Sequence, residues 1–203
     1  MNSKKVDADI ELKVVLVGES GIGKTCIIHQ YLEKQFDPNT QTSMPGTYLH
    51  KFLNVNKKKI SLDIWDTAGQ ETYKSIVKNF YKNVSIGILV YDITLSESFQ
   101  QLKDYWYEEL VSVNDDSMVL AIVGNKSDLM ENEAVSQQEA EEYANNVGAV
   151  FQLTSAKENF GIEELFENCT KKYLEKNYSK QNNQKKGQTF LKDKKDEKKK
   201  NCC

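Results

Sequence analysis

Short apolar runs that alternate with helix-patterned stretches constrain this chain more than any other feature. Leu12–Val17, Ile86–Tyr91, Met118–Val123 and Val150–Leu153 have the length and β-branched, apolar character of strands buried on both faces of a sheet. Thr47–Val55 and Lys59–Trp65 read as two further strands, joined by a hairpin turn at Asn56 and the lysines beside it. Helical patterns fill the gaps at Lys24–Gln35, Ser96–Val113, Ser136–Val147 and Gly161–Tyr178. Ser96 and Ser136 are expected as N-caps, the second with Glu139 three residues on as a capping box. Strands alternating with helices make an α/β fold, a mostly parallel sheet with helices on both faces. Ligands of such sheets bind at the carboxyl ends of the strands.

The chain has 203 residues, of which 39% are hydrophobic and 28% charged, enough for one core. That excludes a wholly disordered chain, a collagen-like repeat and a coiled coil. No run of apolar residues is long enough to span a membrane, and the polar start Met1–Ile10 is not a secretory signal. Cys26 and Cys169 lie far apart and Cys202 and Cys203 end the sequence, which is not a disulfide framework. An intracellular protein is expected. The net charge of −3 is unevenly placed, because residues 177–203 carry nine lysines against three acidic residues, +6, leaving −9 on the remainder. This segment has too little apolar character to fold alone, so three regions are expected: a flexible extension over 1–9, a domain over 10–176 and a disordered tail over 177–203. The basic tail fits a solvated extension or a membrane-surface patch. Nucleic-acid binding is not expected, since the body is acidic and no aromatics interleave with the lysines. Every basic residue is lysine; arginine does not occur.

Gly18-Glu19-Ser20-Gly21-Ile22-Gly23-Lys24-Thr25 fits the phosphate-loop pattern G-x-x-x-x-G-K-[ST], and it follows a strand and opens a helix, where that pattern has meaning. Its backbone N–H groups, from Ser20, Gly21, Ile22 and Gly23 through Lys24, Thr25 and Cys26, can form a nest for phosphates at a helix N-terminus. Lys24 reaches the outer phosphates and Thr25 offers a hydroxyl to Mg²⁺. The pattern implies a nucleoside triphosphate without saying which base.

The base is argued from Asn125-Lys126-Ser127-Asp128 at the end of the fifth strand run. A carboxylate at Asp128 accepts two side-by-side bonds from the N1–H and N–H₂ edge of guanine, whereas adenine presents an acceptor there. Ser155-Ala156-Lys157, one strand later, is placed to offer the Ala156 N–H to guanine O6. Asp66-Thr67-Ala68-Gly69-Gln70 follows the third strand. Asp66 is placed beside Mg²⁺, Gly69 to give an N–H to a γ-phosphate, and Gln70 to orient an attacking water, so this loop is expected to be ordered by GTP and released on hydrolysis.

With these segments in order and at these spacings, the chain resembles the Ras superfamily of small GTPases over roughly residues 10–176, and within it the Rab branch. Trp65 before Asp66, the run Leu89-Val90-Tyr91-Asp92-Ile93-Thr94 and the double cysteine are the Rab-like features. The resemblance implies a six-stranded sheet with about five helices, GTP and GDP bound with Mg²⁺, hydrolysis of GTP to GDP and phosphate, and regulated membrane traffic by a monomer. It implies catalytic roles for Gln70 and Lys24, stacking of Phe36 on the guanine edge, and Mg²⁺ ligation involving Thr25, Asp66 and Ser43. Tyr48, Trp65 and Phe80 match an aromatic trio that Rabs present to effectors.

The first switch reads Thr42-Ser43-Met44-Pro45-Gly46-Thr47-Tyr48, where Rabs usually have Thr-Ile-Gly at the central three positions. Ser43 keeps the hydroxyl, while Pro45 fixes its own φ and pushes Met44 toward extended geometry. Either the switch works with altered effector contacts, or the γ-phosphate sensor is weakened and the chain is a nucleotide-locked module that recruits effectors with little cycling. Trp106, Tyr105 and Phe166, on helical faces, are expected in the core, and His29 and His50 have no spacing that suggests chemistry. Without arginine the chain cannot supply its own arginine finger, so a GTPase-activating protein is expected, together with a guanine-nucleotide exchange factor for tightly held GDP. Cys202 and Cys203 resemble the doubly prenylated ends of Rabs, although adjacent cysteines can also form a vicinal disulfide or bind metal. Two lipid chains anchor where one holds only marginally. The resemblance thus implies prenylation machinery, a GDP-dissociation inhibitor, and residence on the cytoplasmic face of intracellular membranes or vesicles with a cytosolic pool.

Overall fold

A computed structural model describes residues 8–38, 40, 47–67 and 80–177. The elements in chain order are β1 (Ile10–Val17), α1 (Lys24–Glu33), β2 (Thr47–Val55), β3 (Lys58–Asp66) and β4 (Ile86–Asp92). There follow α2 (Ser96–Gln101, Leu102–Trp106 and Tyr107–Val111 in succession), β5 (Val119–Asn125), a 3₁₀ turn (Ser127–Asn132), α3 (Gln137–Asn146), β6 (Val150–Leu153) and α4 (residues 162–177). The six strands form one sheet in the order β2-β3-β1-β4-β5-β6. Every neighbouring pair is parallel except β2–β3. This is the α/β small-GTPase architecture that the strand–helix alternation and the resemblance imply.

The side-chain alternation of β1 shows why the sheet needs cover on both sides. Leu12, Val14 and Leu16 face one apolar cluster, completed by Ile27, Ile28 and Tyr31 of α1 and by Ile162, Leu165, Phe166 and Cys169 of α4. Val15 and Val17 face the other, completed by Phe99, Leu102, Trp106 and Leu110 of α2 and by Ala140 and Ala144 of α3. Tyr31 and Phe166 stack with ring centroids 3.9 Å apart, which locks α1 to α4. Phe166 is therefore the core residue expected of it.

Asn56 and Lys57 take φ of 52° and 63° between the paired residues Val55 and Lys58. Two successive left-handed residues form the tight primed turn that suits strand twist, and Asn tolerates this region well. The Ser136 hydroxyl accepts the Glu139 N–H at 3.2 Å, as a cap should. Ser96 does not. It is the first helical residue, and Leu95, at φ −127°, holds the cap position without a side-chain cap bond. The polar groups around the turn replace it: Asp92 accepts the Thr94 N–H at 2.9 Å, and the Ser98 hydroxyl donates to the Leu95 carbonyl at 2.7 Å. No described helix is long and apolar enough to cross a membrane.

In this strand order β1 lies between β3 and β4, with α1 leaving on one face and α2 on the other. The crevice at the carboxyl end of β1 is a topological switch point, where open α/β sheets bind ligands. The loop Gly18–Gly23 emerges there.

Candidate functional site

The phosphate end is built where β1 stops. Gly23 has φ 97°, and a Cβ added to it would lie 2.4 Å from the Asn125 side-chain amide, so only glycine lets loop and β5 approach this closely. Lys24, the first residue of α1, is 5% exposed. Its ammonium donates to the Gly18 and Glu19 carbonyls at 2.8 and 2.6 Å. Burial lowers its pKa to about 8, against the opposing pull of the Asp66 and Glu19 carboxylates. Parallel pairing sets Leu16 of β1 beside Asp66, the last residue of β3. Asp66 is buried there, and its Oδ2 accepts the Thr25 hydroxyl at 2.8 Å. A hydroxyl and a carboxylate so placed are hard oxygen donors of the kind Mg²⁺ prefers.

The opposite end is built where β4, β5 and β6 stop. Asn125, buried at the end of β5, donates from Nδ2 to the Ile22 carbonyl at 2.8 Å and accepts the Thr154 hydroxyl at 3.2 Å. It ties the phosphate loop to β5 and β6 together. Lys126, left-handed at φ 65°, places Nζ 2.6 Å from the buried Asp92 carboxylate. Asp128 accepts the Ser155 hydroxyl at 2.6 Å, and Lys157 approaches its other oxygen at 3.8 Å. Ser155 in turn accepts the Glu158 N–H at 3.0 Å.

Between the two ends lies a cleft of about 410 Å³, within the size range of small-molecule sites. Ser20, Gly21, Gly23, Lys24, Thr25 and Cys26 border it from the phosphate loop. Asn125, Lys126, Asp128, Ala156 and Lys157 border it from the other side, with Phe36 at the rim. Three expected residues sit behind the wall: Ile22 in the core with its carbonyl held by Asn125, Ser155 beneath Asp128, and Asp66 behind Thr25. Ser43, Gly69, Gln70, Cys202 and Cys203 lie outside the described residues.

Tyr48 and Trp65 face each other across β2 and β3, with centroids 5.3 Å apart, and Phe80 continues the row 5.4 Å from Trp65. Tyr48 is exposed, whereas Trp65 and Phe80 are half-buried against the α2 cluster. Other site residues carry no motif. Pro38 and Thr40 line the cleft from a loop, and Leu129 from the 3₁₀ turn. Asp92 is the carboxylate that holds Lys126, and the one signal for it is a lone acid ending an apolar run at the ligand-binding edge. Trp106 lies in the core as expected, and in addition its indole N–H donates to Glu19 Oε1 of the phosphate loop at 2.9 Å.

The Ras family model matches residues 13–175. Human Ras-related protein Rab-21 is 45% identical over 163 residues, covering 80% of this chain and 72% of that protein. Rab-21 of Geodia cydonium is 41% identical over 175 residues, covering 86% and 76%. Human Rab-30 is 39% identical over 160 residues, covering 79% and 78%. With a family match over residues 13–175, which takes in both ends of the cleft, the chain belongs to the Ras family and is a small GTPase of the Rab type.

Proposed function

We propose that the cleft binds GTP and GDP with Mg²⁺ and that the chain acts as a slow hydrolase and molecular switch in vesicle traffic. The observation that supports this best is the convergence of residues about a hundred positions apart. Gly21, Gly23, Lys24, Thr25 and Cys26, which suit phosphates, and Asn125, Lys126 and Asp128, which suit guanine, border one cleft. Lys24 and the loop N–H groups bind and neutralise the phosphates, Phe36 covers the base edge, and Asp128 pairs with the guanine N–H groups. Ala156 and Lys157 close the base side. Thr25, Asp66 and, in the triphosphate state, Ser43 would hold Mg²⁺, which when bound neutralises charge on the outer phosphates. Gly69 senses the γ-phosphate and Gln70 orients water. Titration of the nucleotide-free chain with fluorescent GDP and ADP tests the assignment: GDP is expected to bind far more tightly, and equal affinities would overturn it.

Positioning and charge neutralisation account for nearly all catalysis of phosphoryl transfer, and this chain has no arginine. Intrinsic turnover is expected on the order of 10⁻⁴ s⁻¹, and unassisted turnover near ~1 s⁻¹ would contradict the reading. A GTPase-activating protein completes hydrolysis and an exchange factor releases GDP. Stimulated phosphate release from the GTP-loaded chain separates a cycling switch from a nucleotide-locked module. Effectors read Tyr48, Trp65 and Phe80. Prenylation of Cys202 and Cys203, with the tail lysines, holds the chain on the cytoplasmic face of vesicles, and a GDP-dissociation inhibitor extracts it. Imaging a copy tagged away from the C-terminus, beside one lacking both cysteines, tests the anchor.

A further inference from the structure

The phosphate loop of this chain carries a carboxylate. Glu19, one residue into the loop, has the same sign as the phosphates the loop is read to hold, and its charge is felt at Lys24, whose pKa it raises. Unrestrained, such a side chain would oppose phosphate binding by like-charge repulsion.

Its restraint comes from 87 positions away. Trp106 ends the wide turn of α2, where the Tyr107 N–H reaches back five residues to the Leu102 carbonyl. Single turns of this π type are frequent at functional sites. The Trp106 ring is 5% exposed, lies edge-on against Tyr105 at 4.9 Å and shares its apolar cluster with Leu102, Leu110 and Tyr81. Indole has one donor and no acceptor, so a buried tryptophan needs one acceptor. Here that acceptor is a carboxylate: Nε1–H meets Glu19 Oε1 at 2.9 Å. Bonds of this kind are stronger than neutral ones. With its carboxylate taken up by α2, Glu19 is absent from the cleft wall, while its neighbours Ser20 and Gly21 form part of it.

We propose that Trp106 is a positioning residue for nucleotide retention, whose indole N–H holds the Glu19 carboxylate out of the phosphate cradle. This rests on the reading of the loop as a phosphate site. Loss of the clamp frees the carboxylate to turn toward the phosphates, which weakens nucleotide binding and speeds release.

The test is GDP release from the full-length chain, followed with a fluorescent GDP analogue chased by excess GDP, for wild type, Trp106→Phe, Glu19→Gln and the double variant. Losing a hydrogen bond to a charged group predicts that W106F releases GDP about tenfold faster. Glutamine at position 19 keeps the acceptor and removes the repulsive charge, so W106F in the E19Q background changes release by less than about twofold, a non-additivity that marks coupled residues. The W106F effect also shrinks when ionic strength rises from about 0.05 to 0.5 M, since salt screens repulsion. An unchanged release rate in W106F, or the same acceleration in both backgrounds and at both salt concentrations, would reduce Trp106 to packing and overturn the proposal. Should W106F melt far below wild type, E19A tests the clamp from the loop side. Release must then be no faster than wild type, because the charge is gone, and faster release overturns the clamp. A wild-type chain that holds no GDP would instead sink the reading of the loop itself.

Discussion

The two ends of the cleft are stabilised in opposite ways. At the base end every named side chain is held by a different part of the fold: Asn125 by Ile22 and Thr154, Lys126 by Asp92, Asp128 by Ser155. At the phosphate end Lys24 is satisfied by two carbonyls of its own loop, and burial has weakened its hold on its proton. Neutral carbonyls are weaker acceptors than phosphate oxygens, so an incoming nucleotide can displace them. The base-end contacts need no displacement. One end is preformed and suited to selectivity, while the other changes partners and is suited to sensing what is bound. Glu19 stands at the boundary, in the phosphate loop by sequence but held by α2.

This contrast can be broken or sharpened experimentally. The largest effect is expected at the preformed end. Asp128→Ala removes both acceptors for guanine and should weaken GDP binding by about 10³-fold, with ADP binding changed by less than about threefold, measured by competitive titration. A parallel loss for ADP would mean that this end shapes the cleft without reading the base. Lys24→Met should come next, at about 100-fold weaker binding of GDP and ADP alike, because the phosphate end is blind to the base.

A smaller effect follows from the proton. The nucleotide-free Lys24 titrates near pH 8, and phosphate oxygens beside it favour the charged form, so binding takes up a proton above that pH. GDP affinity should be flat below pH 8 and then fall, approaching about tenfold per pH unit, and the fall should vanish in Lys24→Met. Stability of the nucleotide-free protein has the opposite slope. The unfolded chain keeps the lysine proton up to its ordinary pKa of 10.5, whereas the folded chain sheds it near 8, so this residue adds stability as pH rises between those values. Denaturant unfolding across that range checks the sign. The smallest effect is expected for Ser155→Ala, which strips Asp128 of its hydroxyl donor and should cost about fivefold in GDP affinity, with ADP binding unmoved.

Much of this arrangement was legible in the chain itself. Local pattern alone marked the six strands to within a residue or two, because parallel strands buried on both faces read as short apolar runs. The glycines before Lys24, Asp66 ending the third strand and Asn125 to Asp128 at the end of the fifth identified the ligand edge, since phosphate and guanine demand particular donors at particular spacings. Ser96 misled because capping depends on where the backbone enters the helix, and a buried Asp92 and Ser98 moved that entry by one residue. The Lys126–Asp92 and Trp106–Glu19 contacts span 34 and 87 positions, and no local rule pairs such residues.

Residue type and spacing by themselves determined the elements, their sheet and the chemistry offered at its edge, because period, turn preference and donor geometry are local properties. Tertiary structure alone decided which donor meets which acceptor. Strand order set β4 beside β5 and α2 over the phosphate loop, and burial then obliged Lys126, Asn125 and Trp106 to find partners within reach.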